Sequence, residues 1–225
     1  MLGQDTMPGV MDENLFRETL AAATPVSLTG VQLAQCTQFA ALVVETNQTL
    51  NLTRITEPAA MAVKHFADSL TLLQAVPDLP QGARLCDVGT GAGFPGVPLK
   101  IVRPDLTLTL VDSLRKRLTF LEEALVTLGI PDVALIHSRA EELKGKRFEL
   151  VTARAVAALP KLIAWCAPLV TTGGRFVAMK GPDVESDEGA AAAYGLVLER
   201  ELLLTLADAE QSKRTLLIYR KQGGR

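Results

Sequence analysis

The spacing of hydrophobic and polar positions changes once along the chain, close to residue 80. Before that point apolar residues recur every three or four positions, which is typical of amphipathic helices. Helices are predicted over 14–23, 29–46 and 58–76. From Arg84 onward short apolar runs alternate with amphipathic segments, the pattern of a parallel sheet covered by helices. We therefore divide the chain into an N-terminal helical extension, 1–80, and an α/β domain, 81–225.

The second part contains seven predicted strands separated by predicted helices and turns. The strands are predicted over 84–88, 107–112, 133–137, 148–152, 174–179, 196–206 and 214–220. The helices are predicted over 95–102, 113–128, 140–143, 158–170 and 185–194. This alternation predicts the α/β fold class, with a Rossmann-like, seven-stranded and mostly parallel sheet.

The junction between the first predicted strand and the next helix carries the most specific chemistry. Asp87 lies in the strand, and Gly89, Gly91 and Gly93 follow at every second position. Glycines at this spacing allow a sharp turn and a close approach to a ligand, because no Cβ stands in the way. Asp112 ends the next predicted strand, where its carboxylate can accept hydrogen bonds from a ribose diol. These residues predict a nucleoside-bearing cofactor across the ends of the strands.

The cofactor is not settled by the glycines themselves. Gly91, Gly93 and Gly96 also fit G-x-G-x-x-G, the pattern of a dinucleotide site. Asp87 stands just before the first glycine, where its charge would repel a pyrophosphate and attract an ammonium group. This favours S-adenosylmethionine, which carries an amino group, over NAD. A glycine-rich turn without any ligand is the third interpretation.

Composition indicates the class of protein and its compartment. The chain has 225 residues, 48% of them apolar, which is enough for one large core and a small accessory unit. We find no secretory leader and no apolar run of about 18 residues, so we expect a cytoplasmic protein that does not bind a membrane. The three cysteines are far apart and lack metal-ligand spacing, so no metal site is predicted.

Charge is informative through its distribution and not through its total. The net charge of −2 gives no sign of a nucleic-acid-binding protein. Basic residues nevertheless cluster at 115–117, at 144–147 and at 213–225. Each cluster taken singly is typical of a solvated face. Several clusters around one cofactor cleft favour a local basic rim that contacts RNA.

Motifs that are missing after the fourth strand indicate the target chemistry. The sequence there reads Thr152-Ala153-Arg154, and lacks the Asn or Asp followed by two prolines that is common where an amine is methylated. It also lacks a Pro-Cys pair, the device for methylating a pyrimidine carbon. Guanine N7 needs neither device, because it is already a nucleophile and the catalysis is mostly alignment.

Two basic residues are predicted at the cleft. Arg154 lies in an almost wholly apolar stretch, where it can hold the cofactor carboxylate, guanine O6 or a phosphate. Lys180 ends the fifth strand and lies on the same rim, because the carboxyl ends of parallel strands meet at one edge of the sheet.

Over about 39–219 the chain resembles the bacterial RsmG family, which is also called GidB. The motifs that carry the resemblance lie at 51–56, 64–70, 87–99, 111–117, 138–142, 153–159 and 169–181. The resemblance implies a class I methyltransferase that uses S-adenosylmethionine and methylates guanine N7 in the 530 loop of 16S ribosomal RNA. It also implies 16S rRNA as the partner, free or within the small subunit or an assembly intermediate. We expect a monomer.

The resemblance implies roles for individual residues. The cofactor-binding set comprises Asp87, Gly89, Gly91, Gly93, Phe94, Asp112, Ala140, Glu141 and Arg154. Within this set the glycines and Phe94 would shape the methionine end of the cofactor pocket. Asp112 would hold the ribose, and Ala140 and Glu141 would frame the adenine. Arg154 is also the predicted catalytic residue. The RNA-binding set comprises Lys116, Arg139, Lys180 and Arg214.

Two features fall outside this assignment. His65 lies within a family motif, but a histidine near an apolar helix face is usually a packing residue, so we leave it out of the catalytic set. The chain ends at 221–225 without the longer basic tail of many members.

Two other functions stay open at this point. One is an oxidoreductase that binds NAD at the same glycines, and the other is a non-enzymatic rRNA-binding or assembly factor that keeps the fold. A nucleotide-binding titration separates the first from a methyltransferase, and an assay of methyl transfer separates the second.

Overall fold

A computed structural model describes residues 11–143, 145–154 and 156–223 of the chain. Its centre is a seven-stranded sheet in the order β3-β2-β1-β4-β5-β7-β6. The strands are β1 (Arg84–Val88), β2 (Thr107–Asp112), β3 (Val133–His137), β4 (Phe148–Arg154), β5 (Val170–Lys180), β6 (Leu196–Thr205) and β7 (Lys213–Lys221). Strands β1 to β5 pair in parallel, whereas β7 pairs antiparallel with both β5 and β6. The predicted fold class, a mostly parallel seven-stranded sheet, is confirmed.

The described α-helices agree with the periodicity of the sequence. They are α1 (Glu13–Ala23), α2 (Gly30–Leu50), α3 (Pro58–Met61), α4 (Asp68–Ala75), α5 (Gly96–Val102), α6 (Arg115–Thr127), α7 (Leu159–Cys166) and α8 (Glu188–Ala193). A π-helical turn, Ala62–Ala67, joins α3 to α4. The helix predicted at 140–143 is only a 3-10 turn, Ala140–Glu142. The backbone is extended on both sides of it, at Arg139 and at Leu143, so only three residues are left for the turn.

Capping residues set the course of the chain between α2 and α3. Thr29 and Gln32 form a reciprocal capping box at the start of α2. The helix ends at Asn51, whose φ of 49° lies in the left-handed region that asparagine tolerates. Glu57 then accepts hydrogen bonds from the first backbone N–H groups of α3. The short segment between the two helices, Leu52–Thr56, is therefore held at both ends.

An aromatic cluster joins the N-terminal helices to the sheet. Phe66, in the π-helical turn, makes edge contacts with Phe16 of α1, Phe39 of α2 and Phe94, with ring centroids 5.0 to 6.0 Å apart. Phe39 also stacks on Phe120 of α6. Phe94 belongs to the loop after β1, so the glycine loop and the N-terminal helices share one hydrophobic core. The helices thereby lie beside the carboxyl ends of the strands.

The other face of the sheet carries a second apolar cluster. Cys86 and Cys166 are fully buried there, as predicted for small core residues, and α7 and α8 cover this face. Within 11–143, 145–154 and 156–223, we find no helix that combines the length and the apolar character needed to cross a bilayer.

Candidate active site

The loop between β1 and α5 turns on glycines in left-handed conformations. Gly89, Gly91 and Gly93 have φ values of 69°, 60° and 98°. A Cβ at Gly89 would lie 2.7 Å from Val156 Cγ2, so that position also requires the absence of a side chain. A Cβ at Gly91 would meet no atom within 4 Å. The left-handed conformation therefore favours glycine at 91, and the space above this residue is open.

Two cavities adjoin at this loop, and Gly89 lines both of them. The large cavity has a volume of about 450 Å³ and extends toward the N-terminal helices. Its wall includes Thr53, Lys64, His65, Asp68, Gly89, Gly91, Phe94, Arg154, Lys180 and Arg214. The small cavity has a volume of about 220 Å³ and lies over β2 and β3. Its wall includes Gly89, Asp112, Ser138, Arg139, Ala140, Glu141 and Trp165.

Asp112 connects the glycine loop to the end of β2. It is 3% exposed, and its Oδ2 accepts hydrogen bonds from Gly91 N at 2.9 Å and from Arg117 Nη1 at 3.2 Å. Its Oδ1 accepts from Leu114 N at 2.8 Å. A carboxylate offers about four lone-pair positions, so one acceptor position is left for a ligand in the small cavity.

Asp87 lies beneath the loop and lines neither cavity. Its Oδ2 accepts hydrogen bonds from Thr90 Oγ1 at 2.7 Å and from Gly96 N at 2.9 Å. Its Oδ1 is buried without a hydrogen-bond partner among the described residues. Burial raises the pKa of Asp87 to about 6, with the two hydrogen bonds opposing the rise. In this structure Asp87 holds the two ends of the loop together.

A buried carboxylate holds two arginines of the large cavity. Asp68 is 1% exposed, and its two oxygens lie 3.0 Å from Arg154 Nη1 and 3.1 Å from Arg214 Nε. Arg154 also donates to the carbonyl of Lys64 at 3.3 Å and lies over the Phe94 ring, 5.5 Å from its centroid. One carboxylate between two guanidinium groups leaves a net positive charge in the wall. Such a wall suits a carboxylate, a phosphate or a base carbonyl.

His65 completes the wall on the side of the N-terminal helices. Its ring stacks on Phe94 with centroids 4.7 Å apart, and its Nε2 lies 2.8 Å from Thr53 Oγ1. Burial, and next the charge of Arg154, lower the pKa of His65 to about 3. The imidazole is therefore neutral at neutral pH, and it is held at both ring nitrogens and on one face.

Lys180 lies at the end of β5, on the rim predicted for it. Its ammonium group donates to the carbonyl of Ala157, and desolvation lowers its pKa. With Lys64, Arg154 and Arg214 it gives the described wall of the large cavity four cationic side chains.

The family model "GidB: rRNA small subunit methyltransferase G" matches residues 32–216 of the chain. The chain belongs to the GidB family. The ribosomal RNA small subunit methyltransferase G of Lactobacillus helveticus is 46% identical over 204 residues, which cover 86% of this chain and 85% of the relative. That of Lactobacillus delbrueckii subsp. bulgaricus is 42% identical over 218 residues, which cover 92% of this chain and 91% of the relative. The predicted resemblance is confirmed.

Solved structures similar to this GidB-family chain confirm the fold. A SAM dependent methyltransferase from Aquifex aeolicus is 15% identical with a TM-score of 0.56, covering 75% of this chain and 96% of that one. A ribosomal protein L11 methylase from Lactobacillus delbrueckii subsp. bulgaricus is 18% identical with a TM-score of 0.53, and the match covers 71% of this chain and 79% of that one. At these identities the likeness concerns the class I methyltransferase fold and not the substrate.

The structure brings most of the predicted site residues of the GidB-family chain to the two cavities. The predicted residues that line the large cavity are Gly89, Gly91, Phe94, Arg154, Lys180 and Arg214. Those that line the small cavity are Gly89, Asp112, Arg139, Ala140 and Glu141. Three predicted residues, Asp87, Gly93 and Lys116, line neither cavity. Lys116 is exposed on the first turn of α6. A Cβ at Gly93 would meet Leu121 and Val97 in the core, so this glycine serves packing.

Sequence reasoning missed the contribution of the N-terminal helices to the site. Thr53, Lys64, His65 and Asp68 all lie in the wall of the large cavity. His65, interpreted from the sequence as a packing residue, does pack on Phe94 but also faces the cavity. A signal was available, because Asp68 is the one charged residue of α4, and charged residues are rarely buried without partners.

Proposed function

We propose that this GidB-family enzyme transfers the methyl group of S-adenosylmethionine to N7 of a guanosine in the 530 loop of bacterial 16S rRNA. The observation that carries the proposal is the pair of cavities that meet at Gly89. The cofactor extends from the small cavity across the glycine loop, and the target base enters the large one. The cofactor supplies an electrophilic methyl group on a positively charged sulfur.

The residues at the small cavity fit this cofactor. Asp112 retains one acceptor position for a ribose hydroxyl, beside the three hydrogen bonds that hold it. Ala140 and Glu141 border the same cavity and frame the adenine. Gly91, with open space where a Cβ would lie, lets the methionine part pass close to the backbone.

The large cavity fits a base that needs no deprotonation. Guanine N7 has a free lone pair, so the site requires donors that orient the base more than a general base. Arg154 lies in the wall of the cavity and can donate to the cofactor carboxylate or to guanine O6. His65 has a pKa of about 3 and stays neutral, so it adds no further positive charge beside a positively charged cofactor.

The basic residues around the large cavity hold the RNA backbone. Lys180 and Arg214 lie in its wall, and Arg139 lies in the wall of the small cavity. Lys116 is exposed on the first turn of α6, next to Arg117, which contacts Asp112. Contacts of this kind to phosphates weaken steeply with salt. The enzyme acts as a cytoplasmic monomer on 16S rRNA, either free or within the small subunit or an assembly intermediate.

The experiment measures methyl transfer from labelled S-adenosylmethionine to unmodified small ribosomal subunits, followed by nucleoside analysis of the digested rRNA. We expect one 7-methylguanosine in the 530 loop. Arg154→Ala should lower the rate at least tenfold, roughly the contribution of one charge-assisted hydrogen bond. Arg175→Ala is the matched control, because Arg175 is also held by carboxylates but lines neither cavity.

Each other result has a definite meaning. A different methylated nucleoside would refute the proposed target but would still support methyl transfer as the reaction. Cofactor binding without methyl transfer would favour an assembly factor. Binding of NAD in place of S-adenosylmethionine would favour the oxidoreductase.

A further inference from the structure

The hydroxyl group of Thr53 lies in the wall of the large cavity with a defined set of partners. Its oxygen accepts a hydrogen bond from Ile55 N at 3.0 Å and lies 2.8 Å from His65 Nε2. The backbone N–H of Thr53 donates to Asn47 Oδ1 at 2.8 Å. The segment is also held by the caps of α2 and α3, so this hydroxyl has a fixed position.

Arg154 favours one of the two neutral tautomers of His65. Nδ1 of His65 faces Arg154 Nη2 at 3.5 Å, and a guanidinium group has donors but no acceptor. We therefore assign the unprotonated position to Nδ1. The ring is neutral, since its pKa is about 3, so its one hydrogen lies on Nε2 and points at Thr53 Oγ1.

This tautomer limits what the Thr53 hydroxyl can do. A hydroxyl has two lone pairs and one hydrogen, and here Ile55 N and His65 Nε2 occupy both lone pairs. Only the hydrogen is left for a ligand. With His65 in this tautomer, no acceptor among residues 11–143, 145–154 and 156–223 receives it. The hydroxyl is therefore a neutral group that can donate to a ligand in the cavity but cannot accept from it.

We propose that Thr53 is a specificity-determining residue that donates its hydroxyl hydrogen to a carbonyl oxygen of the target base. The inference rests on the proposed function, since it requires the target base to occupy the large cavity. Guanine presents the O6 acceptor beside N7, whereas adenine presents an amine there. A hydroxyl that can only donate forms a hydrogen bond with O6 of guanine. With adenine, the hydroxyl and the amine would face each other as two donors.

The test compares two bases that differ at position 6. Small subunits are reconstituted with 16S rRNA that carries either guanosine or 2,6-diaminopurine riboside at the methylated position. Both bases keep N7 and the 2-amino group, but the second has an amine in place of O6 and no hydrogen on N1. The measured quantity is kcat/KM for methyl transfer by the wild type, Thr53→Val and Thr53→Ser.

We expect the wild type to prefer guanosine. Thr53→Val removes the hydroxyl at nearly constant shape, so it should lower transfer to guanosine by about 2- to 12-fold, the range of one neutral hydrogen bond. Loss of the contacts to Ile55 and His65 acts on both bases alike, so the preference for guanosine should shrink by at least that factor. Thr53→Ser keeps the hydroxyl and should keep the preference. Thr56→Val, in the same segment but exposed and outside the cavity, is the matched control.

A purely structural role for Thr53 would give a different result. Loss of the contacts to Ile55 and His65 would slow transfer to both bases equally, and an unchanged preference in Thr53→Val would overturn the inference. If Thr53→Val does not fold, the same ratio is measured with Thr53→Ala. If the wild type methylates neither base, the proposed function itself fails, and this outcome differs from failure of the Thr53 assignment.

Discussion

Asp68→Asn tests whether the N-terminal helices hold the arginines of the large cavity in place. The carboxylate of Asp68 lies on α4, and its two oxygens contact Arg154 of β4 and Arg214 of β7. Asparagine has nearly the same shape, but it is neutral and keeps only one acceptor oxygen. Its amide nitrogen would face one of the guanidinium groups, donor against donor.

The size of the effect follows from the burial of this cluster. Asp68 is 1% exposed, and the side chains of Arg154 and Arg214 are 15% and 23% exposed. One charge-assisted hydrogen bond is lost and the other is weakened, at roughly 1.5–3 kcal/mol for each intact bond. We expect the free energy of unfolding to fall by about 3 kcal/mol, which for a chain of this size lowers the midpoint of thermal unfolding by roughly 6–12 °C.

The assay is thermal unfolding followed by circular dichroism, together with methyl transfer. Asp78→Asn is the control, because Asp78 also lies 2.9 Å from an arginine but its side chain is 63% exposed. That exposed ion pair should contribute less than about 1 kcal/mol. If Asp68→Asn shifts the midpoint no more than Asp78→Asn does, our account of the cluster is wrong. We also expect methyl transfer to fall with Asp68→Asn and not with the control.

Three further substitutions test the glycine loop. Gly91→Ala places a Cβ in open space at a left-handed φ, so it should cost about 1–2 kcal/mol of stability and weaken S-adenosylmethionine binding at least tenfold by calorimetric titration. Unchanged affinity would contradict the proposed close approach of the cofactor to the backbone at Gly91. Gly96→Ala would bring a Cβ to 2.4 Å from Leu110 Cδ2, so overpacking should lower the free energy of unfolding by roughly 1–3 kcal/mol. An unchanged unfolding midpoint would refute this packing. For Asp87 the folded pKa of about 6 exceeds the ordinary 3.8, so the folded protein binds this proton more tightly than the unfolded chain does. Its contribution to stability is complete below about pH 3.8 and falls by about 3 kcal/mol as the pH rises to about 6. Urea titrations across this range should show that fall in the wild type and not in Asp87→Asn, and equal pH dependence would contradict it.

Local patterns in the sequence determined the order of helices and strands and the position of the glycine loop. Periodicity of two or of three to four residues depends on neighbours in the chain, and the seven strands were found by it. Asp112 and Arg154 were placed at the cleft because parallel strands bring their carboxyl ends to one edge. The motifs that resemble the GidB family were read directly from the residues.

The composition of the large cavity was decided by packing between distant parts of the chain. Asp68 contacts Arg154 and Arg214, which lie 86 and 146 positions further along, and no local pattern encodes such contacts. The aromatic cluster around Phe66 brings Thr53 and His65 over the strand ends. Asp87 was expected at the ligand, but Thr90 and Gly96 hold it beneath the loop. Side chains at a site assembled across separate elements take their partners from tertiary packing, since hydrogen bonds and ion pairs form only between groups that the fold brings together.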